Sequence, residues 1–198
     1  MCLVLLDFQP GFLSLKAVRE EYYSRPTLPL YRWDNGIVAG QDLTAGGTWL
    51  GVTPVAAWAV LTNIPTDKPG TRSRGDLVVQ YLAGRWDAPP NVEEYGGFNL
   101  FLGRLDRVDY YSSHAPHQAL SYGRYSLSNA PLGAPCPRAQ QALHCENLED
   151  LAIRAPGYGI RSSTWLTIAD VITIEERTYP SLDDRRIQVE FDNHFRPN

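Results

Sequence analysis

The sequence predicts an α+β fold, in which antiparallel sheets carry helices packed over the sheet faces. Strand patterns come first, helical patterns lie in the middle of the chain, and strand patterns return near its end. No regular alternation of strand and helix is present, so a parallel sheet is not expected. The chain has 198 residues, of which 43% are hydrophobic, and it shows no repeat or linker. We therefore predict one domain that spans residues 1–198.

The first element is a predicted hairpin. Cys2–Phe8 is apolar and suited to a strand, Gln9-Pro10-Gly11 has the composition of a turn, and Phe12–Val18 can return as the partner strand. Arg19 would then lie at the end of the second strand, near the start of the first. The proline-rich stretch that follows, Arg25–Pro29, is predicted as a loop.

Three short strands at close spacing and one clear helix come next. The helix is predicted to begin with Ser73 as its N-cap and Asp76 as the acidic residue of its first turn, and to end at Gly84. Apolar residues recur inside it at helical spacing. The strands that precede the helix are Ile37–Gly40, Thr48–Val52 and Ala57–Thr62.

The second half of the chain is predicted to begin and end with strands. Two loops, Asp87–Pro90 and Pro131–Pro137, are expected from their proline content. Helices are predicted at Arg138–Leu143 and near Leu148–Ile153. The predicted strands are Phe98–Leu102, Val108–Tyr111, Ser163–Ala169, Val171–Thr178 and Arg186–Phe191.

Charge and composition exclude several classes of function. The net charge of −4 and the pI of about 5.5 give no general attraction to nucleic acid. No apolar run is long enough for a membrane-spanning helix, so no integral membrane segment is predicted. Three cysteines form no dense disulfide framework, and the chain is therefore predicted to be cytoplasmic with reduced thiols. His114 and His117 lack a carboxylate or cysteine cluster, so no metal site is predicted.

Cys2 is the first candidate for catalysis. If Met1 is removed, the α-amine of Cys2, with a pKa of roughly 7.7–8.0, can take the proton of the thiol directly or through water. Arg19 would then stabilise the thiolate or a substrate carboxylate, because its guanidinium is always charged. The alternative is that Cys2 is a small buried residue of an N-terminal strand.

Other side chains leave similar alternatives open. Asn63 and Asn129 follow predicted strands, where an amide can donate to an oxyanion or can simply cap a turn. Cys136 is followed by proline and has His144 nearby, and both residue types ligate haem iron, although a rigid surface loop explains this segment equally well. Trp49 is suited to the core, but it is also suited to a pocket for a flat or lipidic ligand.

An ordered set of short motifs resembles the NRDE family, also called the transport and Golgi organisation protein 2 family. The set runs from the first residues almost to the end of the chain. Its members are Met1-Cys2, Val18-Arg19-Glu20-Glu21, Arg25-Pro26, Gly46–Val52, Ala59–Asn63, Ser73–Leu77, Tyr95–Leu100, Leu127–Leu132, Tyr158–Thr164 and Glu176-Arg177-Thr178.

The resemblance implies a four-layer αββα sandwich similar to N-terminal-nucleophile hydrolases. By this analogy Cys2 matches the nucleophile and Arg19 the arginine that faces it, while Asn63 and Asn129 resemble amides near the same pocket. The ligand-binding residues expected from it are Arg161 on the rim, Glu20 and Trp49. Two positions depart from the family motif, since Val18 replaces an asparagine and Glu20 replaces an aspartate. Cys136 likewise replaces the usual tryptophan.

Two functions follow from the resemblance, because members of the family have been linked both to haem or lipid handling and, by fold, to amide hydrolysis. The first is a carrier of a small hydrophobic ligand. Haem is the candidate ligand, and no cofactor is required. The second is an N-terminal cysteine amidohydrolase that cleaves linear or other non-peptide amide C–N bonds through Cys2. No oligomeric state is predicted.

Overall fold

A computed structural model describes residues 2–86 and 90–190. The strands, in chain order, are β1 (Cys2–Gln9), β2 (Phe12–Tyr22), β3 (Thr27–Arg32), β4 (Val38–Asp42), β5 (Leu50–Val52), β6 (Trp58–Asn63), β7 (Phe98–Gly103), β8 (Val108–Ser112), β9 (Gln118–Leu120), β10 (Gly123–Leu127), β11 (Tyr158–Ile168), β12 (Ile172–Thr178) and β13 (Asp184–Val189). The α-helices are α1 (Gly75–Leu82) and α2 (Pro137–Ala142), and short 3₁₀ helices span Val92–Glu94 and Leu148–Leu151.

The strands form two antiparallel sheets. The first sheet has the order β10-β1-β2-β11-β12-β13, and the second has the order β3-β4-β5-β6-β7-β8-β9. The predicted antiparallel α+β class is therefore confirmed as two antiparallel sheets with few helices. The loop predicted at residues 87–90 lies mostly outside the described residues, as does Phe191 at the end of the last predicted strand.

The predicted N-terminal hairpin is confirmed. Strands β1 and β2 pair from Cys2 with Arg19 to Gln9 with Phe12. The two residues between the strands are Pro10 and Gly11, and Gly11 has a φ of 72°. Proline followed by a residue with positive φ is what a type II turn requires, so the turn chemistry fixes the register of the whole hairpin.

The largest hydrophobic cluster lies between the two sheets. Alternate residues of β1 and β2, such as Val4, Leu6 and Leu15, point into it from the first sheet. Residues of the second sheet, including Trp58 and Phe101, meet them there. The side-chain alternation of β1 and β2 therefore decides which residues face the second sheet, and it places Cys2 and Arg19 on that inner face.

Each sheet also buries part of its outer face. On the second sheet, Leu77, Val78 and Leu82 of α1 join a cluster with residues of β4, β6 and β7. On the first sheet, Ala142 of α2 and Leu148 of the 3₁₀ helix pack against the outward-facing residues of β1, β2 and β11, which are Leu3, Leu5, Val18 and Ile160. A helical segment thus covers each sheet on the side away from the other sheet.

Several local predictions were wrong. The stretch expected to be a loop after Arg25 contains β3, which pairs with β4 on one side and is the edge strand of its sheet. Pro29 is accommodated because the register shifts between Leu28 and Tyr31, and edge strands tolerate proline. The backbone N–H of Leu30 instead donates to the buried Glu176 of the first sheet, over 2.7 Å. Strand β9 was not predicted, and β10 is the strand that Asn129 was predicted to follow.

The predicted start of α1 was also wrong. The helix begins at Gly75 with Arg74 as its N-cap residue, and no side chain caps it. The Asp76 carboxylate bonds to Arg72 and Gln80 instead. The helix predicted near residues 148–153 is a 3₁₀ helix of 4 residues, whereas α2 begins within one residue of its predicted start. Within the described ranges, no helix combines the length and the apolar character needed to cross a membrane.

Candidate functional site

The site is built around the first residue of β1. Cys2 pairs directly with Arg19 near the end of β2, and both side chains lie on the face that turns toward the second sheet. The Cys2 residue is 8% exposed and Arg19 is 5% exposed. Because the pair lies at the end of the β1–β2 ladder, it is buried at the margin of the sandwich and not at its centre. The predicted juxtaposition of Cys2 and Arg19 is confirmed.

A cavity of about 120 Å³ opens beside this pair. Its other walls include the β4–β5 connection, β6 and the N-terminal end of α1. Thr48 and Trp49 contribute from the β4–β5 connection, Leu61 and Asn63 from β6, and Arg74 and Gly75 from the start of α1. A buried thiol, three arginines and three acidic residues therefore line one small space.

Arg19 is the most buried cation in this cavity. Its guanidinium lies 4.4 Å from the centre of the Trp49 ring, measured from Cζ, and its Nη2 lies 3.8 Å from Oδ2 of Asp42. The other terminal nitrogen, Nη1, is buried and has no hydrogen-bond partner. Burial lowers the pKa of Arg19, while the neighbouring Cys2, Glu21 and Asp42 oppose that shift. An arginine remains charged under such conditions, so an unsatisfied cationic N–H donor is held beside the Cys2 thiol.

Trp49 holds Arg19 in place and has little freedom itself. A Cβ atom at Gly40 of β4 would lie 2.5 Å from Cη2 of Trp49, so no side chain fits at position 40. An edge of the indole therefore lies close to the backbone of β4 at Gly40, and the face of the ring supports the Arg19 guanidinium. Trp49, which was predicted to bind ligand, lines the cavity and fixes the position of its main cation.

The rim of the cavity is held by Asp42 and Arg25. Nε of Arg25 donates to Oδ2 of Asp42 over 2.7 Å and also lies 4.0 Å from Glu21. The other oxygen of Asp42 accepts the backbone N–H groups of Thr44 and Ala45, which stabilises the turn after β4. Arg25 is thus paired with two carboxylates at its Nε, whereas Arg19 has one longer contact, through Nη2 to Asp42, and an unpartnered Nη1.

Arg161 lies behind this rim. The regular pairing of β11 with β2 is interrupted between Ile160 and Ser162, so Arg161 occupies a bulge. Its Nη1 donates to the backbone carbonyls of Tyr22, Tyr23 and Arg25 over 3.0, 3.0 and 2.9 Å. The guanidinium therefore fixes the turn that carries Arg25. Its predicted contact with a ligand stays a prediction.

The two predicted amides are close together. Nδ2 of Asn129 donates to the carbonyl of Asn63 over 2.8 Å, so Asn129 fixes the end of β6 while the Asn63 side chain lines the Cys2 cavity. A residue that the sequence did not suggest holds this loop in place, because Nδ2 of buried Asn99 donates to the carbonyls of Ser128 and Ala130. Of the two amides, Asn63 is the one at the cavity wall.

Glu20 and Val18 face the other side of β2. The Glu20 carboxylate accepts hydrogen bonds from both terminal nitrogens of Arg138 on α2 and from the backbone N–H of Ile153. Val18 packs in the outer cluster beneath α2. The valine that replaces the family asparagine therefore does not reduce the polarity of the Cys2 cavity, and the Glu20 carboxylate anchors α2. A ligand contact by Glu20 stays a prediction.

Arg74 is a site residue that sequence reasoning missed. It precedes α1, whose start approaches the β4–β5 connection so closely that a Cβ at Gly47 would lie 2.6 Å from the carbonyl carbon of Gly75. Two glycines in contact thus bring the start of α1 to the cavity. Nη1 of Arg74 donates to the carbonyl of Gly97 over 3.2 Å. Burial lowers the pKa of Arg74, and the nearby Cys2 and Glu21 oppose that shift.

The other two thiols and the described histidines lie outside the Cys2 cavity. All three cysteines are free, Cys136 is the residue before α2, and the thiol of Cys145 donates to the carbonyl of Asn147. His114 and His117 line a separate cavity of about 410 Å³ next to β8. Among residues 2–86 and 90–190, no group of three or more histidine, cysteine, aspartate or glutamate residues is arranged to hold a metal ion.

The fold is similar to that of N-terminal-nucleophile hydrolases. Two crystal structures of conjugated bile acid hydrolase from Clostridium perfringens match all of this chain and 95% of theirs, with TM-scores of 0.58 and 0.59 at 8% sequence identity. At that identity the likeness concerns the fold alone. It agrees with the N-terminal-nucleophile-hydrolase-like fold that the sequence motifs implied, as far as its two antiparallel sheets.

Sequence comparison identifies the family. The model of the Transport and Golgi organisation 2 family matches residues 1–147. The homologues of transport and Golgi organisation protein 2 from Mus musculus and Bos taurus are 33% and 32% identical over 68% of this chain. The chain belongs to this family. The matched region spans 59% of the length of each of these two relatives.

Proposed function

We propose that the protein is an N-terminal cysteine hydrolase that cleaves amide C–N bonds with Cys2 as its nucleophile after loss of Met1. The observation that carries this proposal is the unpartnered Nη1 of buried Arg19 directly across from Cys2. A buried donor with no partner costs free energy, and such a cost is retained where an anionic group is to be bound. Both negative species of acyl transfer, the thiolate and the tetrahedral oxyanion, would form at this point.

The chemistry can be written with groups that line the cavity. The free α-amine of Cys2 takes the thiol proton, and Sγ attacks the carbonyl carbon of the amide. Arg19 stabilises the developing negative charge, and Asn63 is the proposed second donor. The proton then passes from the α-amine to the leaving nitrogen as the C–N bond breaks, which leaves an acyl thioester on Cys2. Water activated by the same amine hydrolyses the thioester and restores the thiol.

The architecture expected for such an enzyme also fits. We propose that α1 and the segment formed by α2 and its 3₁₀ helix are reduced outer layers of an αββα sandwich. Each covers one sheet on the side away from the other, and the burial of α1 residues and of Ala142 supports this assignment. In this arrangement the first strand presents its N-terminal residue at the margin of the inner layers, where a substrate can reach it.

The proposal is tested by the mass of the mature protein and by hydrolysis. We expect intact-mass analysis of protein from its native host to show loss of Met1, and the processed protein to hydrolyse N-acyl amides. Cys2→Ala is expected to abolish hydrolysis, because no other described thiol lines the Arg19 cavity. Cys145→Ala is the matched control and should keep full activity. Retention of Met1 in the native protein would reject the mechanism, since a blocked amine cannot act as the base.

Handling of haem or of another small hydrophobic ligand is the second function proposed from the family. The imidazoles of His114 and His117 in their shared cavity are the side chains that support it, since imidazole ligates haem iron. Titration with haemin should then give a saturable Soret shift, and the double substitution His114→Ala and His117→Ala should remove it.

A cytoplasmic location is retained as a proposal, and the three free thiols agree with a reducing compartment.

A further inference from the structure

A second, larger cavity adjoins the Cys2 cavity. It has a volume of about 580 Å³ and is formed mainly by the segment between β6 and α1. The two cavities share Arg25, Asn63, Ser73 and Arg74, so they are parts of one continuous groove. The walls of the larger part include exposed residues such as Thr66 and Lys68, which means that this part opens to solvent.

The charged residues that line this outer groove are all positive. Four cationic residues line it, namely Arg25, Lys68, Arg72 and Arg74, and none of its lining residues is an aspartate or glutamate. Asp67, next to Lys68 in sequence, is not part of the wall. A concave surface lined by one sign of charge concentrates ligands of the opposite sign.

The four cations are not equally available. Arg72 forms ion pairs with Asp76 and Glu94, and Arg25 forms ion pairs with Asp42 and Glu21. Among the described residues, neither Lys68 nor Arg74 has a carboxylate within ion-pair distance, and Arg74 donates to the neutral backbone carbonyl of Gly97. Arg74 is also only partly exposed and lines both cavities. The structure thus holds two cations without an ion-pair partner along the path that leads from solvent to Cys2, and Glu21 acts on Arg74 only from beyond ion-pair distance.

We infer that the outer groove binds an anionic amine half of the substrate, with Lys68 and Arg74 as the residues that select it. This inference rests on the proposed function and names the class of substrate: an amide whose amine side ends in a carboxylate or phosphate. In acyl transfer the amine half of the substrate leaves first, while the acyl half stays bonded to Cys2. The amine half should therefore occupy the outer groove, because that part opens to solvent and lets it depart. Arg19 and Asn63 would act on the reacting carbonyl in the adjoining Cys2 cavity.

Binding to the Cys2→Ala protein tests the inference separately from hydrolysis. The probes share one decanoyl chain and differ at the end of the amine half: N-decanoylethanolamine is neutral, N-decanoylglycine has a carboxylate and N-decanoyl-phosphoethanolamine has a phosphate. At least one anionic probe should bind about tenfold more tightly than the neutral probe at low salt, and high salt should reduce this preference. The tighter of the two anionic probes identifies the anion.

Variants in the same background assign the preference to residues. Lys68→Gln and Arg74→Gln should each reduce the anion preference by about three- to tenfold and leave binding of the neutral probe almost unchanged. Lys16→Gln, which changes the other lysine of the chain, should have no effect. Equal affinity for charged and neutral probes, a preference unaffected by both variants, or no binding of any probe would overturn the inference. A preserved anion preference together with an inactive processed wild-type protein would instead reject the proposed hydrolysis alone.

Discussion

Replacing Glu20 by alanine is expected to lower the free energy of unfolding by about 3–5 kcal/mol, because Arg138 would be left as a largely buried charge without its partner. The side chain of Glu20 is fully buried and that of Arg138 is 16% exposed. The substitution also removes the acceptor of the Ile153 backbone N–H. Urea denaturation followed by tryptophan fluorescence measures the change.

The partner variants separate the ion pair from the burial of its members. Arg138→Ala should cost a similar amount, since it leaves the Glu20 carboxylate buried. Glu20→Met combined with Arg138→Met should be clearly less destabilised than the sum of the two alanine variants, because neither charge is then left alone. In the two alanine variants, hydrogen exchange should be fastest in α2 and the following 3₁₀ helix, because the Glu20–Arg138 ion pair holds these segments against β2.

An exposed ion pair of the same sheet provides the control. Arg186 and Glu175 are paired across β13 and β12, with side chains that are 72% and 42% exposed. Arg186→Ala should change stability very little, because solvent screens such a pair. If Glu20→Ala changed stability as little as the control does, the contact with Arg138 would not hold α2 against β2.

The N-terminal hairpin and its site pair were predictable because they depend on local chemistry. Pro10 and Gly11 form the turn, and a two-residue turn sets the register of the strands beside it. Once the register is set, Arg19 must lie opposite Cys2. The side-chain alternation of a strand then determines that Val18 and Glu20 face the opposite way.

The parts that could not be predicted depend on contacts between distant segments. Arg74 reaches the Cys2 cavity because Gly47 and Gly75 allow α1 to approach the β4–β5 connection, and neither glycine indicates its distant partner. The ion pair of Glu20 with Arg138 joins positions that are 118 residues apart. Strand β3 was missed because its proline suggested a loop, whereas the register shift beside Pro29 accommodates it at a sheet edge.

The two faces of β2 therefore have different roles. Its inner face ends in Arg19, which has an unsatisfied donor and lines a cavity. Its outer face carries Val18 and Glu20, whose contacts are complete and hold α2 against the sheet. The family motif combines a candidate reactive group with the anchor that keeps its strand in position, and this explains why a change at Val18 can be accommodated without a change in the cavity.

Arg19→Gln is expected to reduce kcat for amide hydrolysis by about 10²–10³-fold, because it removes the charged donor beside the position where the oxyanion would form. Glutamine retains an N–H donor but not the charge, so the loss would report on electrostatics more than on shape. Since burial opposes the charge of Arg19, we expect the fold to remain at least as stable as that of the wild type, which thermal unfolding can verify.

Arg25→Gln is the matched control for this prediction. Arg25 lines the same cavity, but Asp42 and Glu21 already neutralise it. Its loss would also leave Asp42 to interact with Arg19 alone, so a decrease of no more than about tenfold is expected, as for a charge at a rim. Activity of Arg19→Gln equal to that of Arg25→Gln would mean that the unpartnered Nη1 of Arg19 does not act on the reacting group, and the catalytic assignment of Arg19 would then be wrong.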